Sequence, residues 1–463
     1  MKKYRLKISR QDFEELRRLV LADLPDEAGA FALAGIANFG DQVDILVRRT
    51  IAVPKQMMLV QNEYHLEVAP QAINGLIALC EANQLGAVIC HSHPDGLRYS
   101  PSDNYGEYRI ANTLRQFIPQ KAPIASLLFT PDKVAGRIWL PGNSQPTSLD
   151  EIIVVGHYIH KIELRNVERR PTKLDLYDRQ VRALGESGQL AISRAKVGII
   201  GVGGTGSLVA EQLTRLGVSD FVLIDPDIFS PTNLSRVYGT YYRSAKKSKF
   251  FSEHKVNLIA SNLKKINPDA QIRAVSKNVV LSKVASSLLD RDILFLCTDE
   301  HWGRSIVNQI AYQYLIPTIN LGVRITSDDG VISHAVGAID VLRPDKPCLW
   351  CKQFLRSERI AAESLPIEER RHLLQEGYVE DIDSKTPAVI SFTLSVASSA
   401  ASLFIHLFTN FMGDAGEISR INYDFLKGSS SRGATNIDKR CICQKVRGVG
   451  DLTSMPTLSS LPQ

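Results

Sequence analysis

Residues 196–236 read KVGIIGVGGTGSLVAEQLTRLGVSDFVLIDPDIFSPTNLSR. The run at 197–200 is short and apolar, as a buried strand requires. Gly201, Gly203, Gly204 and Gly206 follow at once, and apolar spacing over 208–216 predicts a helix. A second apolar run, 221–224, ends on Asp225. Strand, glycine loop, helix, strand and acid make the first unit of a nucleotide site on a doubly wound α/β sheet. The glycines let backbone N–H groups approach phosphate oxygens, and the helix N-terminus adds the positive end of its dipole. Asp225, about 20 residues past the loop, is placed for a ribose hydroxyl. A nicotinamide-dependent enzyme would share this much. Beyond Asp225 and Asp227, however, the chain runs SPTNLSR over 230–236. Asn233 and Arg236, just past the ribose acid, suit an enzyme that must grip a triphosphate.

The 463 residues allow two to three domains, each able to bury its own core. A net charge of +6 is mild for this length and gives no case for a nucleic-acid partner. The N-terminal MKKYRLKISRQDFEELRRLVLADL is interrupted by charges throughout and does not read as a signal peptide. Residues 388–408, AVISFTLSVASSAASLFIHLF, carry no acid, Lys or Arg and are long enough to span a bilayer. Their five Ser, one Thr and one His favour a buried core helix, so no membrane is expected. Seven cysteines are too sparse for a disulfide scaffold. Four of them fall in two close pairs, Cys348/Cys351 and Cys441/Cys443, which points to metal and to a reducing, cytoplasmic setting.

Ahead of the glycine loop lies a second centre of chemistry. Phe13, Leu16, Val20 and Leu24 recur at helical spacing after a short strand. Residues 28–35 and 43–54 read as strands, 71–83 as a helix and 86–90 as a buried strand. That strand runs into HSHP at 91–94, and SPSD follows at 100–103. His91 and His93, at i and i+2 on an extended chain, project to one side. With Asp103 they make a set of three zinc ligands and leave the fourth position open for water, as hydrolytic zinc needs.

This pattern resembles the JAMM (JAB/MPN) metalloprotease family. The resemblance implies a JAMM/cytidine-deaminase-like α/β domain over 1–165. It implies that Glu27, in PDEAG at 25–29, is the general base and that Ser100 donates to the oxyanion. The family's substrates are peptide or isopeptide bonds after a ubiquitin-like C-terminus. RNVERR at 165–170 reads as an exposed connector.

YDRQ at 177–180 opens the second domain, and CTD at 297–299 ends an apolar run before Arg304 and Asn308. With the glycine loop, Asp225, Asp227, Asn233 and Arg236, these motifs resemble the ThiF/MoeB family over about 172–445. The resemblance implies a Rossmann-like, doubly wound adenylating domain that uses ATP and Mg²⁺. Asp225 would hold the ribose, Asn233, Arg236 and Lys255 the phosphates, and Asp299 the Mg²⁺. Arg179 would reach the nucleotide of a neighbouring protomer, which makes a homodimer. Cys348, Cys351, Cys441 and Cys443 would close a tetrahedral, structural zinc site.

Residues 354–387, where the family would carry a nucleophilic cysteine, contain none. Either the adenylate passes directly to an external acceptor, such as a conjugating enzyme's cysteine or a sulfur donor, or Ser384 or Thr386 forms an oxyester. Residues 446–463, rich in Ser, Pro and Leu, are expected to form a flexible tail. Together the motifs describe a bifunctional enzyme with one catalytic and one structural Zn²⁺. It adenylates the C-terminus of a ubiquitin-like protein and hydrolyses bonds after it. The alternative is sulfur-carrier activation through a thiocarboxylate, with release by the JAMM half.

Overall fold

The computed structural model describes residues 2–165, 174–247, 252–366, 368–370, 372 and 387–460. The expected connector lies, past Arg165, outside the described residues, as do Ser384 and Thr386. The chain forms two compact units. One gathers the N-terminal region with Tyr312–Leu315 and Cys443–Ser454; the other holds most of the rest.

The first unit is a nine-stranded mixed sheet. Its strands lie in the order Ile159–Glu163, Glu151–Val155, Lys3–Ser9, Gln42–Ala52, Gly29–Asn38, Gly86–Ser92, Ile124–Phe129, Val134–Ile138 and Thr147–Ser148. Strand Lys3–Ser9 alternates in the way a two-faced sheet requires. Leu6 and Ile8 enter the core with Phe13, Leu16 and Val20 of the helix Arg10–Val20. Arg5 and Lys7 alternate with those core positions, and the fully buried Asp44 meets them at 2.7 and 2.9 Å. Ser9 caps the helix by accepting the Asp12 N–H at 3.0 Å.

Residues 446–454 are not the loose tail expected from their composition. Val446 and Val449 are buried. Gly35 N–H donates to Gly448 O at 3.1 Å, and Asp451 N–H donates to Ile36 O at 2.6 Å. Arg48 Nη1 donates to the carbonyls of Lys445 and Arg447. A Cβ at Gly450, where φ is +56°, would stand 2.1 Å from Ile36 O. The glycine is there for a close approach of two backbones, a need that composition does not reveal. Further on, Leu458 N–H donates to Val280 O in the second unit, while residues 461–463 lie outside the described ones.

The second unit is an eight-stranded sheet in the order Gln271–Val275, Asp220–Ile224, Lys196–Ile200, Ile293–Leu296, Thr318–Asp328, Val331–Leu342, Arg420–Asp424 and Ser429–Gly433. The first five strands are parallel and the rest antiparallel. The order reverses between Lys196–Ile200 and Ile293–Leu296, which makes this a Rossmann-like α/β fold with its switch point there. The apolar helix Ile390–Thr409 is long enough to cross a membrane. It lies in the core instead, with Val396, Ala397, Ala400, Leu403, Phe404 and Leu407 buried. Its hydroxyls donate back along the helix, Ser395 to Ser391 O, Ser402 to Ser398 O and Thr409 to Ile405 O.

Candidate functional site

In the first unit, the strand Gly86–Ser92 delivers His91 at its end, and the N–H of His93 donates to Phe129 O on the neighbouring strand at 2.9 Å. The helix Pro101–Leu114 delivers Asp103 from its first turn. The three side chains offer donor atoms all within 4.8 Å of one another. His91 Nε2 lies 3.5 Å from Asp103 Oδ1, and His93 Nε2 lies 3.4 Å from Asp103 Oδ2. His91 Nε2 is buried without a hydrogen-bond partner among the described residues. Two buried imidazoles, one with an orphaned nitrogen, and a half-buried carboxylate fit a metal ion of the zinc type. Burial pushes Asp103 up, but the two imidazoles overcome this and hold it well below the usual carboxylate range.

Glu27 is buried, with Oε1 3.3 Å from His93 Nε2. Burial raises its pKa against the pull of His93 and His91. Ser100 also holds a post that its motif did not announce. Its Oγ accepts the Asp103 N–H at 3.1 Å, while its own N–H donates to Asp103 Oδ2 at 2.6 Å. It therefore caps the helix that carries Asp103, and its hydroxyl lies 2.7 Å from Ser102 Oγ. A support that the sequence did not reveal lies behind this helix. Glu107 accepts from Ser126 Oγ, Arg137 Nε and Trp139 Nε1 at 2.6, 2.9 and 2.9 Å. Arg137 in turn stacks 3.5 Å over Tyr99, whose ring meets His91 edge-on.

In the second unit the glycine loop joins strand Lys196–Ile200 to helix Gly206–Arg215. Gly201 has φ +85°, and a Cβ at Gly206 would sit 1.8 Å from Gly201 O, so neither position tolerates a side chain. A Cβ at Gly203 would meet nothing within 4 Å, which leaves the loop open above. Asp225 is buried, and its oxygens accept the N–H groups of Val202 at 2.8 Å and Asp227 at 2.9 Å. Burial raises its pKa. Lys255 Nζ is 2.6 Å from Asp227 Oδ2.

Asn233 is buried, and its amide oxygen accepts the Ser230 N–H at 3.0 Å. It therefore shapes the turn that brings Arg236 to Gly204, whose Cβ would lie 3.6 Å from Arg236 Cδ. Only its amide N–H groups could reach a phosphate. Asp299 is exposed beyond the strand Ile293–Leu296, and Arg179 is exposed on the first turn of the helix Asp178–Ser193. Glu363, which the motifs did not single out, accepts the N–H groups of His301 and Trp302 at 3.0 and 2.6 Å. It caps the helix that follows Asp299.

The sulfurs of Cys348, Cys351, Cys441 and Cys443 all lie within 4.8 Å of one another, unbridged. Cys348 Sγ is 3.7 Å from Cys351 Sγ and 3.5 Å from Cys441 Sγ. Asn308 holds the loop by accepting the Leu349 N–H at 2.9 Å. Four converging thiols fit a closed, tetrahedral metal site. The remaining cysteines are buried or partly so. Burial pushes Cys80 and Cys297 up to about 12, and Cys90 is also raised.

Comparison with known proteins bears on the second unit. The model of the ThiF family matches residues 177–443. Ubiquitin-like modifier-activating enzyme 5 of Drosophila virilis is 28% identical over 37% of this chain and 45% of its own length. SAMP-activating enzyme E1 of Haloferax volcanii is 25% identical over 39% of this chain and 62% of its own length. The chain thus spans about half the length of the curated relatives it matches. Among solved structures, E. coli MccB with succinimide is 18% identical, with a TM-score of 0.44 over 58% of this chain and 73% of that one.

Proposed function

The chain belongs to the ThiF family, and we propose that its second unit uses ATP to adenylate the C-terminal carboxylate of a ubiquitin-like protein. The carrying observation is the array around the open glycine loop: Asp225 beneath it, Arg236 against Gly204, and Lys255 on Asp227. The carboxylate attacks the α-phosphorus, the bond to the β-phosphate oxygen breaks, and pyrophosphate leaves. Both reactants are anionic, so the site must spread negative charge. Each Asp225 oxygen has one backbone N–H and a lone pair left for a ribose hydroxyl. Arg236 and Lys255 contact the phosphates, with Lys255 turning from Asp227. A magnesium ion on Asp299 would neutralise phosphate charge. Arg179 acts on the nucleotide of a second copy, so the working form is a homodimer.

The first unit, in the same reading, is a JAMM-type peptidase domain with a cytidine-deaminase-like fold, acting after the same modifier tail. A zinc ion held by His91, His93 and Asp103 would acidify a water and polarise the scissile carbonyl. Glu27, raised by burial and 3.3 Å from His93, takes the proton and returns it to the leaving amine. The Ser100 hydroxyl donates to the oxyanion, a role it combines with capping the helix. A second, structural zinc belongs to the four thiols.

The thiols outside that cluster favour direct transfer to an external acceptor. A thiol pushed up to about 12, as in Cys80 and Cys297, supplies almost no thiolate near neutrality. That acceptor is a conjugating enzyme's cysteine. The same observation supports the sulfur-carrier alternative, in which sulfide-level sulfur from a donor attacks the acyl adenylate, AMP leaves, and the carrier's own tail becomes the thiocarboxylate.

The test is ATP–pyrophosphate exchange with purified ubiquitin-like proteins ending in glycine. Exchange without a thioester on this chain is the expected result. Absence of exchange with every such partner would overturn the adenylation reading, and a thiol-sensitive adduct on the chain would overturn direct transfer.

A further inference from the structure

The mild net charge of the whole chain conceals where its positive excess lies. Residues 236–265 hold eight Lys and Arg against one acid, Glu253, a net +7. The chain as a whole is +6, so everything outside this segment comes to −1. Arg236 and Lys255 are taken up by the phosphate contacts proposed above. The other cations have no work in that reading.

The described part of the segment lies in the second unit. Tyr238 N–H donates to Ser207 Oγ at 2.9 Å, which ties the segment to the helix that follows the glycine loop. Gly239 has φ +75°, and a Cβ there would stand 2.4 Å from Asn262 Nδ2. The chain therefore passes close against the helix Lys255–Ile266, as only glycine allows. The Tyr241 hydroxyl donates to Asn262 Oδ1 at 3.4 Å. These contacts anchor the segment and leave its rings outside: Tyr241 is 57% exposed and Tyr242 69%. Lys265 Nζ lies 5.6 Å from the centre of the Tyr241 ring, and Lys246 Nζ 5.3 Å from that of Tyr242. Arg243 and Lys264, their neighbours in sequence, are exposed as well.

We propose that the face made by Tyr241, Tyr242, Arg243, Lys246, Lys264 and Lys265 binds single-stranded nucleic acid. The cations neutralise backbone phosphates and release counterions. The exposed rings offer bases a stacking surface, which any base can use once it is free of a duplex. An acidic protein would also answer the charge. Lysine, however, is depleted at protein interfaces, and three of the four cations on this face are lysines. The anchor through Tyr238 sets the bound strand beside the glycine loop, outside the nucleotide site itself. The inference goes beyond adenylation and needs neither ATP nor a modifier.

The test follows the fluorescence anisotropy of a labelled oligouridine of about twelve nucleotides on the full chain without ATP. Binding is expected at low salt, with log Kd rising against log salt at a slope of about 3 for four phosphate contacts. Lys246→Glu combined with Lys265→Glu should weaken binding roughly tenfold or more and lower the slope by about 1.4. Tyr241→Ala combined with Tyr242→Ala should weaken it roughly ten- to a hundredfold at an unchanged slope. If that double variant melts early, Tyr242→Ala alone replaces it, with an expected loss of about five- to tenfold. Poly-L-glutamate, as competitor, stands in for an acidic protein, and a duplex of the same length for paired bases. The oligouridine failing to bind overturns the proposal. So does binding that is unchanged in the tyrosine variants, whatever the charge variant does. Equal competition by the duplex overturns it too, and equal competition by poly-L-glutamate reassigns the face to an acidic protein.

Discussion

His91, His93 and Asp103 meet across one strand end, one loop and one helix start, whereas Asp225, Arg236, Lys255 and Asp299 come from separate segments around a switch point. The first set has both histidines buried and Asp103 half-buried, and it leaves His91 Nε2 without a partner among the described residues. Around the second set, several groups are already engaged. Lys255 pairs with Asp227, Asn233 closes its own turn, and Asp225 holds the loop from below. A metal could therefore join the first set by filling a gap, while a nucleotide must displace existing contacts in the second. Short local motifs make sites of the first kind readable. Sites of the second kind depend on which strands become neighbours.

Glu27→Gln breaks this comparison most sharply. In the proposed peptidase reading it removes the proton acceptor but no metal ligand, so hydrolysis should fall about a thousandfold while zinc content holds. Zinc loss in this variant would make Glu27 a ligand instead. Next is Arg236→Ala, expected to lower pyrophosphate exchange roughly a hundredfold with hydrolysis unchanged. A parallel drop in hydrolysis would show that the two sites do not act independently.

Gly450→Ala probes the strap, the segment 446–454 laid along residues 35–36, rather than either site. Forcing a Cβ to 2.1 Å from Ile36 O at φ +56° should destabilise the first unit by about 2–3 kcal/mol, read by thermal melting. A wild-type melting curve would mean that the strap is dispensable.

The last prediction concerns acid. Although burial alone would raise Asp44, Lys7 and Arg5 hold it down at about 2. Its contribution is complete above its ordinary value near 4 and is lost as pH falls through 2. The loss should be about 2 kcal/mol across that window. Acid melting of wild type against Asp44→Asn reads it; equal acid slopes in the two would exclude Asp44 as the source.

Much of the scaffold could be read before folding was considered. The helix face of Phe13, Leu16 and Val20, the strand before His91 and the strand–loop–helix around Gly201 all stand where periodicity put them, while Leu24, read with the same face, lies exposed beyond the helix end at Val20. The apolar helix at 390–409 lies in the core, as its serines indicated. Three features were not legible. The strap at 446–454 looked loose because its glycines serve contacts with residues some four hundred positions earlier. Ser100 and Asn233 were read for the ligands they would touch, and each proved to close a local turn first. Glu107 and Glu363 carried no motif at all, since their partners are distant in the chain.

By itself the sequence determined the chemistry available: a His-x-His and Asp set, a glycine loop with its acid, two cysteine pairs, and no spare cysteine between residues 354 and 387. Those are matters of residue type and short spacing, which survive without knowledge of neighbours. Only the tertiary structure decided which donors were left unmet. Whether His91 Nε2 or Arg304 Nε finds a partner depends on every element packed around it, and both were left waiting.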